Sequence, residues 1–134
     1  LSSSSAASDV YKRQGEVCYV FCSADRLLEM NRQYLGHDYF TDVITFDYSD
    51  RRGARVVSGD VFIDVETVAD NARRYGATRL EEMRRVVVHG LLHLCGQKDK
   101  TPRANAVMHR KEDRYLHLLD AMLRGTFPAD SAAD

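Results

Sequence analysis

Two histidines stand four residues apart in a segment that is otherwise uncharged. His89 and His93 lie within residues 86–94, a stretch without Asp, Glu, Lys or Arg. At this spacing two side chains face the same side of an α-helix, with Cβ atoms about 5–6 Å apart, so both imidazoles can bind one metal ion. Gly96 can end such a helix, and Asp99 can then return a carboxylate to the pair. Two histidines and one aspartate leave the fourth position of a tetrahedral zinc ion to water, as in a catalytic site.

The same pair has a simpler interpretation, in which both rings are core side chains hydrogen-bonded to the backbone. Burying two polar rings costs free energy unless each has a partner, and one shared metal ion satisfies both. We therefore predict a site for one Zn²⁺ ion formed by His89, His93 and Asp99, with core histidines as the alternative.

The residue after the first histidine bears on the type of chemistry. Helical zinc peptidases carry a glutamate there as the general base, whereas this chain has Gly90. A peptidase is therefore disfavoured, while zinc, which lowers the pKa of bound water to about 7, would serve phosphodiester hydrolysis if cations held the phosphates. The candidate phosphate contacts are Arg84, Arg85, Lys98 and Lys100, although cations of this kind can also form a solvated helix surface.

The segment 89–99 resembles the signature of the YbeY family of rRNA-maturation endoribonucleases, H-G-x-L-H-L-x-G-[YF]-x-H. Two further blocks agree: "NRQYLGHDYFTDVITF", residues 31–46, is similar to the family's N-x-x-[YF]-R-x-x-D-x-x-T-D-V-L-S-F, and "GDVFID", residues 59–64, to its G-D-I-x-I-S. The resemblance implies a zinc-dependent endoribonuclease that cleaves single-stranded RNA in maturation of the small-subunit rRNA 3′ end and in ribosome quality control. The implied partners are ribosomal RNA and the small ribosomal subunit.

Departures from the family pattern keep other functions open. The family's third histidine falls at Asp99, which still offers zinc an oxygen ligand, and the family's arginine falls at Leu35. Asp42 matches a family aspartate and could orient a metal-bound histidine or only stabilise a turn. The alternatives are a catalytically impaired, ribosome-associated RNA-binding module with structural zinc and, less favoured, a zinc metallopeptidase.

The length and composition of the chain suit one globular domain. It has 134 residues, of which 44% are hydrophobic, and a formal charge of -1, which excludes a uniformly basic nucleic-acid binder. We predict a non-native or disordered leader at 1–14, the domain at 15–125 and a frayed tail at 126–134. Since no apolar run is long enough to span a bilayer and no signal peptide is recognisable, we expect a cytoplasmic protein.

Hydrophobic periodicity predicts the elements that position the histidines. Strands are expected at 16–21, 41–48 and 55–65, the last two as a hairpin. Helix-capping residues are Ser23, Asp64, Thr78 and Thr101. With the resemblance, these elements predict an α+β fold: a small mixed sheet of three to four strands, about four to five helices, and a central buried helix carrying the histidines. We expect Leu80, Met83, Val87 and Leu91 on its buried side.

Overall fold

The computed structural model describes residues 13–52 and 56–125. The strands are β1 (Arg13–Cys22), β2 (Val43–Asp47) and β3 (Val56–Asp64), and the helices are α1 (Ala24–Leu35), α2 (Val65–Tyr75), α3 (Arg79–Leu94) and α4 (Pro102–Leu123). The predicted α+β class, with a small mixed sheet, is confirmed. Most of the predicted leader and the predicted tail lie outside the described residues, and the domain limits stay predictions.

The three strands form one mixed sheet in the order β1-β3-β2. The central strand β3 pairs in parallel with β1 and antiparallel with β2, so β2 and β3 form the predicted hairpin. Side chains alternate between the two faces of a strand. Along β3, Val57, Val61 and Ile63 are buried on one face, and Phe62 points to the other.

Each helix begins directly after the residue that the sequence predicts as its N-cap. The Ser23 hydroxyl accepts a hydrogen bond from the Arg26 N–H, and Thr78 forms a capping box with Glu81. The carboxylate of Asp64 is fully buried and accepts hydrogen bonds from the backbone of α2. These interactions satisfy N–H groups that have no partner within the helix, so they determine where each helix starts.

The described residues up to Gly96 form one compact unit, in which helices cover both faces of the sheet. On one face, Val68 of α2 and Val86 and Leu94 of α3 pack against the buried valines and isoleucine of β3. On the other face, Leu27 and Met30 of α1 pack with the β2 residue Ile44. The sheet therefore lies between α1 and the α2–α3 pair.

Two glycines allow α3 to lie unusually close to the sheet. A Cβ built on Gly90 of α3 would lie 2.7 Å from Cγ1 of Val61, and one on Gly59 of β3 would lie 2.7 Å from a Leu94 methyl group. Both distances are too short for real carbon atoms, so neither position has room for a side chain. The close approach aligns α3, and with it both histidines, against β3.

The buried face of α3 differs in part from the predicted one: Met83 and Val87 pack against the core as predicted, whereas the two leucines do not. Leu80 and Leu91 are 58% and 41% exposed, whereas Val86, Gly90 and Leu94 are buried. The difference arises because the glycine, which carries no hydrophobic signal, is the point of closest approach and so sets which side of the helix faces the sheet. Apart from Leu91, residues 86–94 are at least half-buried, as the prediction of a central buried helix requires.

The second compact unit begins at Gln97 and contains α4. Thr101 caps α4, as predicted, and Pro102 occupies its first turn. Met108 and Glu112 are buried, and His109 interacts with Glu112 across one turn. None of the helices among the described residues combines the length and apolar character needed to cross a membrane.

Candidate metal centre

The two histidines of α3 direct the same ring atom toward each other. Nε2 of His93 lies 3.0 Å from Nε2 of His89, and the rings meet edge to face at an angle of 83°. Two nitrogens bound to one zinc ion, each about 2.0–2.1 Å from it at a tetrahedral angle, lie about 3.3 Å apart. The observed distance is close to that of a pair of metal ligands and is also that of an N–H···N hydrogen bond between the two rings. Neither ring is fully buried, which disfavours the interpretation as core histidines.

Asp99 completes a group of three possible ligands. Its carboxylate and the ring nitrogens of His89 and His93 all lie within 4.8 Å of one another. All three residues are half-buried. The group could hold a metal ion, and its two nitrogens and one oxygen are donors that zinc accepts.

The end of α3, directly after His93, is anchored by the loop that joins β2 to β3. The carbonyl oxygen of Leu94 accepts hydrogen bonds from the Arg51 guanidinium at 3.2 Å and from the Ser49 hydroxyl at 3.3 Å. Asp47 forms an ion pair with Arg51. A cation at the C-terminus of a helix also interacts favourably with the helix dipole. No sequence signal indicated this anchor, because the loop lies more than forty positions before the helix end.

Asp42 directly precedes β2, and its charge interacts with that of His89. Burial raises the pKa of its carboxyl group, and the charge of His89 and the backbone N–H groups of Asp42 and Val43 act in the opposite direction. The backbone carbonyl of Asp42 accepts a hydrogen bond of 2.9 Å from the N–H of Asp64. The loop before β2 is thus held to the end of β3, with a carboxylate in the electrostatic field of His89.

Gly90 leaves no room for the glutamate of a zinc peptidase. Any side chain at this position would meet Val61, which is fully buried and cannot move aside cheaply. The absence of a peptidase general base is therefore a packing requirement of this fold as well as a feature of the sequence.

The other predicted site residues differ in exposure. Lys98 and Lys100 are exposed on either side of Asp99 in the chain, whereas Arg84 and Arg85 are half-buried on α3. Leu35, at the position of the family's arginine, is the last residue of α1 and 44% exposed. The roles of the four cations as phosphate contacts stay predictions.

Comparison with known proteins identifies relatives over most of the chain. The family model described as Endoribonuclease YbeY matches residues 2–120. Endoribonuclease YbeY of Bacteroides thetaiotaomicron is 49% identical over 110 residues, which cover 82% of this chain and 78% of that protein. The Cytophaga hutchinsonii protein of the same name is 50% identical over 103 residues, 77% of this chain and 71% of the relative. Among solved structures, the solution structure of TM1509 from Thermotoga maritima superimposes with a TM-score of 0.56 at 28% identity, over 86% of this chain and 76% of that one.

Proposed function

Because this chain belongs to the YbeY endoribonuclease family, we propose that it cleaves single-stranded RNA with a zinc ion bound by His89, His93 and Asp99. Its place in the cell would be maturation of the small-subunit rRNA 3′ end and ribosome quality control in the cytoplasm, with ribosomal RNA and the small subunit as partners. The observation that carries the proposal is the group of three ligand atoms within 4.8 Å of one another.

The chemistry divides between the metal and the side chains around it. A bound zinc ion would supply Lewis acidity and lower the pKa of water to about 7. His89 and His93 would hold the ion from one rigid helix, and Asp99 would add a negative charge that strengthens its binding. Lys98, Lys100, Arg84 and Arg85 would neutralise the phosphates of the RNA strand.

Asp42 would act as a positioning residue rather than a ligand. Its half-buried carboxylate interacts electrostatically with His89, and a hydrogen bond between the two would hold the imidazole in one orientation. Asp42→Asn should weaken zinc binding about 10- to 100-fold in a chelator competition. Asp38→Asn, at an exposed aspartate paired with Arg32, is the matched control. Equal zinc affinities for the two variants would exclude the positioning role.

A second candidate is an RNA-binding module that has kept a structural zinc but lost catalysis. The observation that favours it is Leu35, since the family's arginine at this position is missing. A peptidase is not supported, because position 90 has no space for a general base.

Metal analysis combined with RNA digestion separates these possibilities. We expect about one zinc per chain in the wild type and in His117→Ala, whose exposed ring lies on α4, and loss of both zinc and RNA cleavage in His93→Ala. Zinc without cleavage of single-stranded RNA would favour the structural module, and cleavage of casein instead of RNA would favour a peptidase. If the wild type contains no bound metal, the two histidines have a structural role instead.

The cationic contacts are tested separately by the salt dependence of RNA binding. Each phosphate contact of single-stranded RNA contributes about 0.7 to the slope of log K against log salt. Lys98→Gln or Lys100→Gln should therefore flatten the slope by about 0.7, and an unchanged slope would remove that lysine from the binding surface.

A further inference from the structure

An open groove runs along α2, outside the histidine pair. It has a volume of about 1210 Å³ and is lined by α2, by the start of α3 and by the loop before β2. Small-molecule pockets have volumes of about 300–1,000 Å³, so this groove is large for a metabolite and is open, as a polymer requires.

The charges of the groove are unevenly distributed. Arg73 and Arg74 at the end of α2 and Arg79 at the start of α3 form its basic end. Arg73 pairs with Asp70, whereas Arg74 and Arg79 are exposed and form no ion pair with another described residue. Two of the three acidic groups that line the groove are engaged within the protein, since Asp70 pairs with Arg73 and Glu66 accepts a hydrogen bond of 2.7 Å from the backbone of Ala24. The basic end can therefore bind an anion from outside.

One lining residue relates the groove to the candidate metal centre. Asp42 lines the groove and lies close enough to His89 for their charges to interact. Arg79 and His89 are ten residues apart on the same helix, which corresponds to about 15 Å along its axis. The basic end and the histidine pair can thus contact separate phosphates of one short, extended strand.

Two exposed aromatic side chains line the groove. Phe40, two residues before Asp42, is 57% exposed, and Tyr75, directly after Arg74, is 65% exposed. Exposed aromatic rings combined with cations along a groove are the features that bind single-stranded nucleic acid without sequence preference.

We propose that this groove holds the RNA strand beyond the cleavage site, with Phe40 and Tyr75 stacking against bases and Arg74 and Arg79 binding phosphates. This inference rests on the proposed function, because cleavage at the histidine pair determines which part of the RNA strand lies in the groove. It adds a second region in which the protein contacts the RNA. The enzyme would then bind long single strands more tightly than short ones, because only long strands reach from the histidines to the basic end.

Binding and cleavage of two RNA lengths test the groove. The probes are single-stranded oligouridylates of about 4 and about 16 nucleotides, the range of known single-strand site sizes, with phosphorothioate linkages for binding and normal linkages for cleavage. Arg74→Gln/Arg79→Gln should bind the long RNA about tenfold more weakly and flatten its salt slope by about 1.4. Cleavage of the short RNA should change less than about twofold, since that strand need not reach the basic end.

Two further variants make the test specific. Arg110→Gln/Arg114→Gln removes the same charge from exposed positions on α4 that do not line the groove, and it should bind the long RNA as the wild type does. Phe40→Leu should weaken binding about tenfold without changing the salt slope, because stacking involves no charge. Circular dichroism checks that each variant is folded; all four arginines and Phe40 are exposed.

The outcomes distinguish this inference from the proposed function. If the wild type cleaves both RNAs and the two arginine variants bind the long RNA equally, the groove is not the RNA path and the proposed function stands. If the wild type cleaves neither RNA but Arg74→Gln/Arg79→Gln still binds the long one more weakly with a flatter slope, the groove stands and the proposed function fails.

Discussion

Replacing Gly90 with alanine tests whether the close approach of α3 to the sheet positions the two histidines. The added Cβ would lie 2.7 Å from Cγ1 of Val61, well inside the 3.4 Å at which ordinary contact begins. Overpacking of this kind costs about 1–3 kcal/mol, while alanine in place of glycine within a helix recovers about 1 kcal/mol. We therefore expect a net loss of about 1 kcal/mol in the free energy of unfolding.

The matched experiment is a double-mutant cycle with Val61→Ala, which removes the methyl group that the new Cβ would meet. In that background Gly90→Ala should stabilise the protein by about 1 kcal/mol, so the two changes should couple by about 2 kcal/mol in urea unfolding. Zinc affinity should follow the same pattern. It should fall about tenfold in Gly90→Ala, because His89 and His93 move with the displaced helix, and recover in the double variant.

An additive cycle would refute this reasoning. Independent sites couple by less than about 0.5 kcal/mol. If the coupling energy between positions 61 and 90 falls below this value, the position of α3 does not depend on this contact. Unchanged zinc affinity in Gly90→Ala, together with the expected loss of stability, would show instead that the histidine pair tolerates a shift of α3.

Three other changes have outcomes that follow from single contacts. Asp64→Ala removes a fully buried cap that accepts hydrogen bonds from the first turn of α2, and should lower the free energy of unfolding by about 2 kcal/mol in urea titrations; a loss below about 0.5 kcal/mol would contradict the capping role. Burial acts to raise the pKa of Asp47, but hydrogen bonds from Ser49 and the ion pair with Arg51 outweigh it and lower the pKa below its usual 3.8. The ionised carboxylate therefore stabilises the fold above pH 3.8, so Asp47→Asn should cost at most about 1 kcal/mol at pH 7, and the difference should disappear as the pH falls below that value. Leu35→Arg, which restores the family's arginine, should raise the rate of RNA cleavage on the order of tenfold over Leu35→Gln, and equal initial rates would exclude a role for a cation there.

Local features of the structure could be predicted from the sequence. The helix starts at Ser23, Thr78 and Thr101 depend on hydrogen bonds that reach only three residues along the chain, so the sequence contains all of the information. The histidine pair could be predicted for the same reason, since residues four apart on a helix share a face.

Features that depend on contacts between distant segments could not be predicted. The prediction of which α3 residues are buried was wrong at Leu80 and Leu91. The position of the helix depends on a contact between Gly90 and a strand about thirty residues earlier. The groove was missed although its arginines were visible in the sequence, since Phe40 and Arg79 line one surface only after the chain has folded.

The parallel pairing of β1 with β3 affects how the chain folds during synthesis. Tyr19 pairs with Val61 and Cys22 with Asp64, so each partner is made 42 residues later, whereas the β2–β3 hairpin joins segments as close as Asp47 and Gly59. At about 5–20 residues per second, β1 leaves the ribosome roughly 2–8 s before its partner strand does. Its backbone hydrogen-bonding groups are exposed to other chains during that interval, which makes β1 the segment that a chaperone would have to protect.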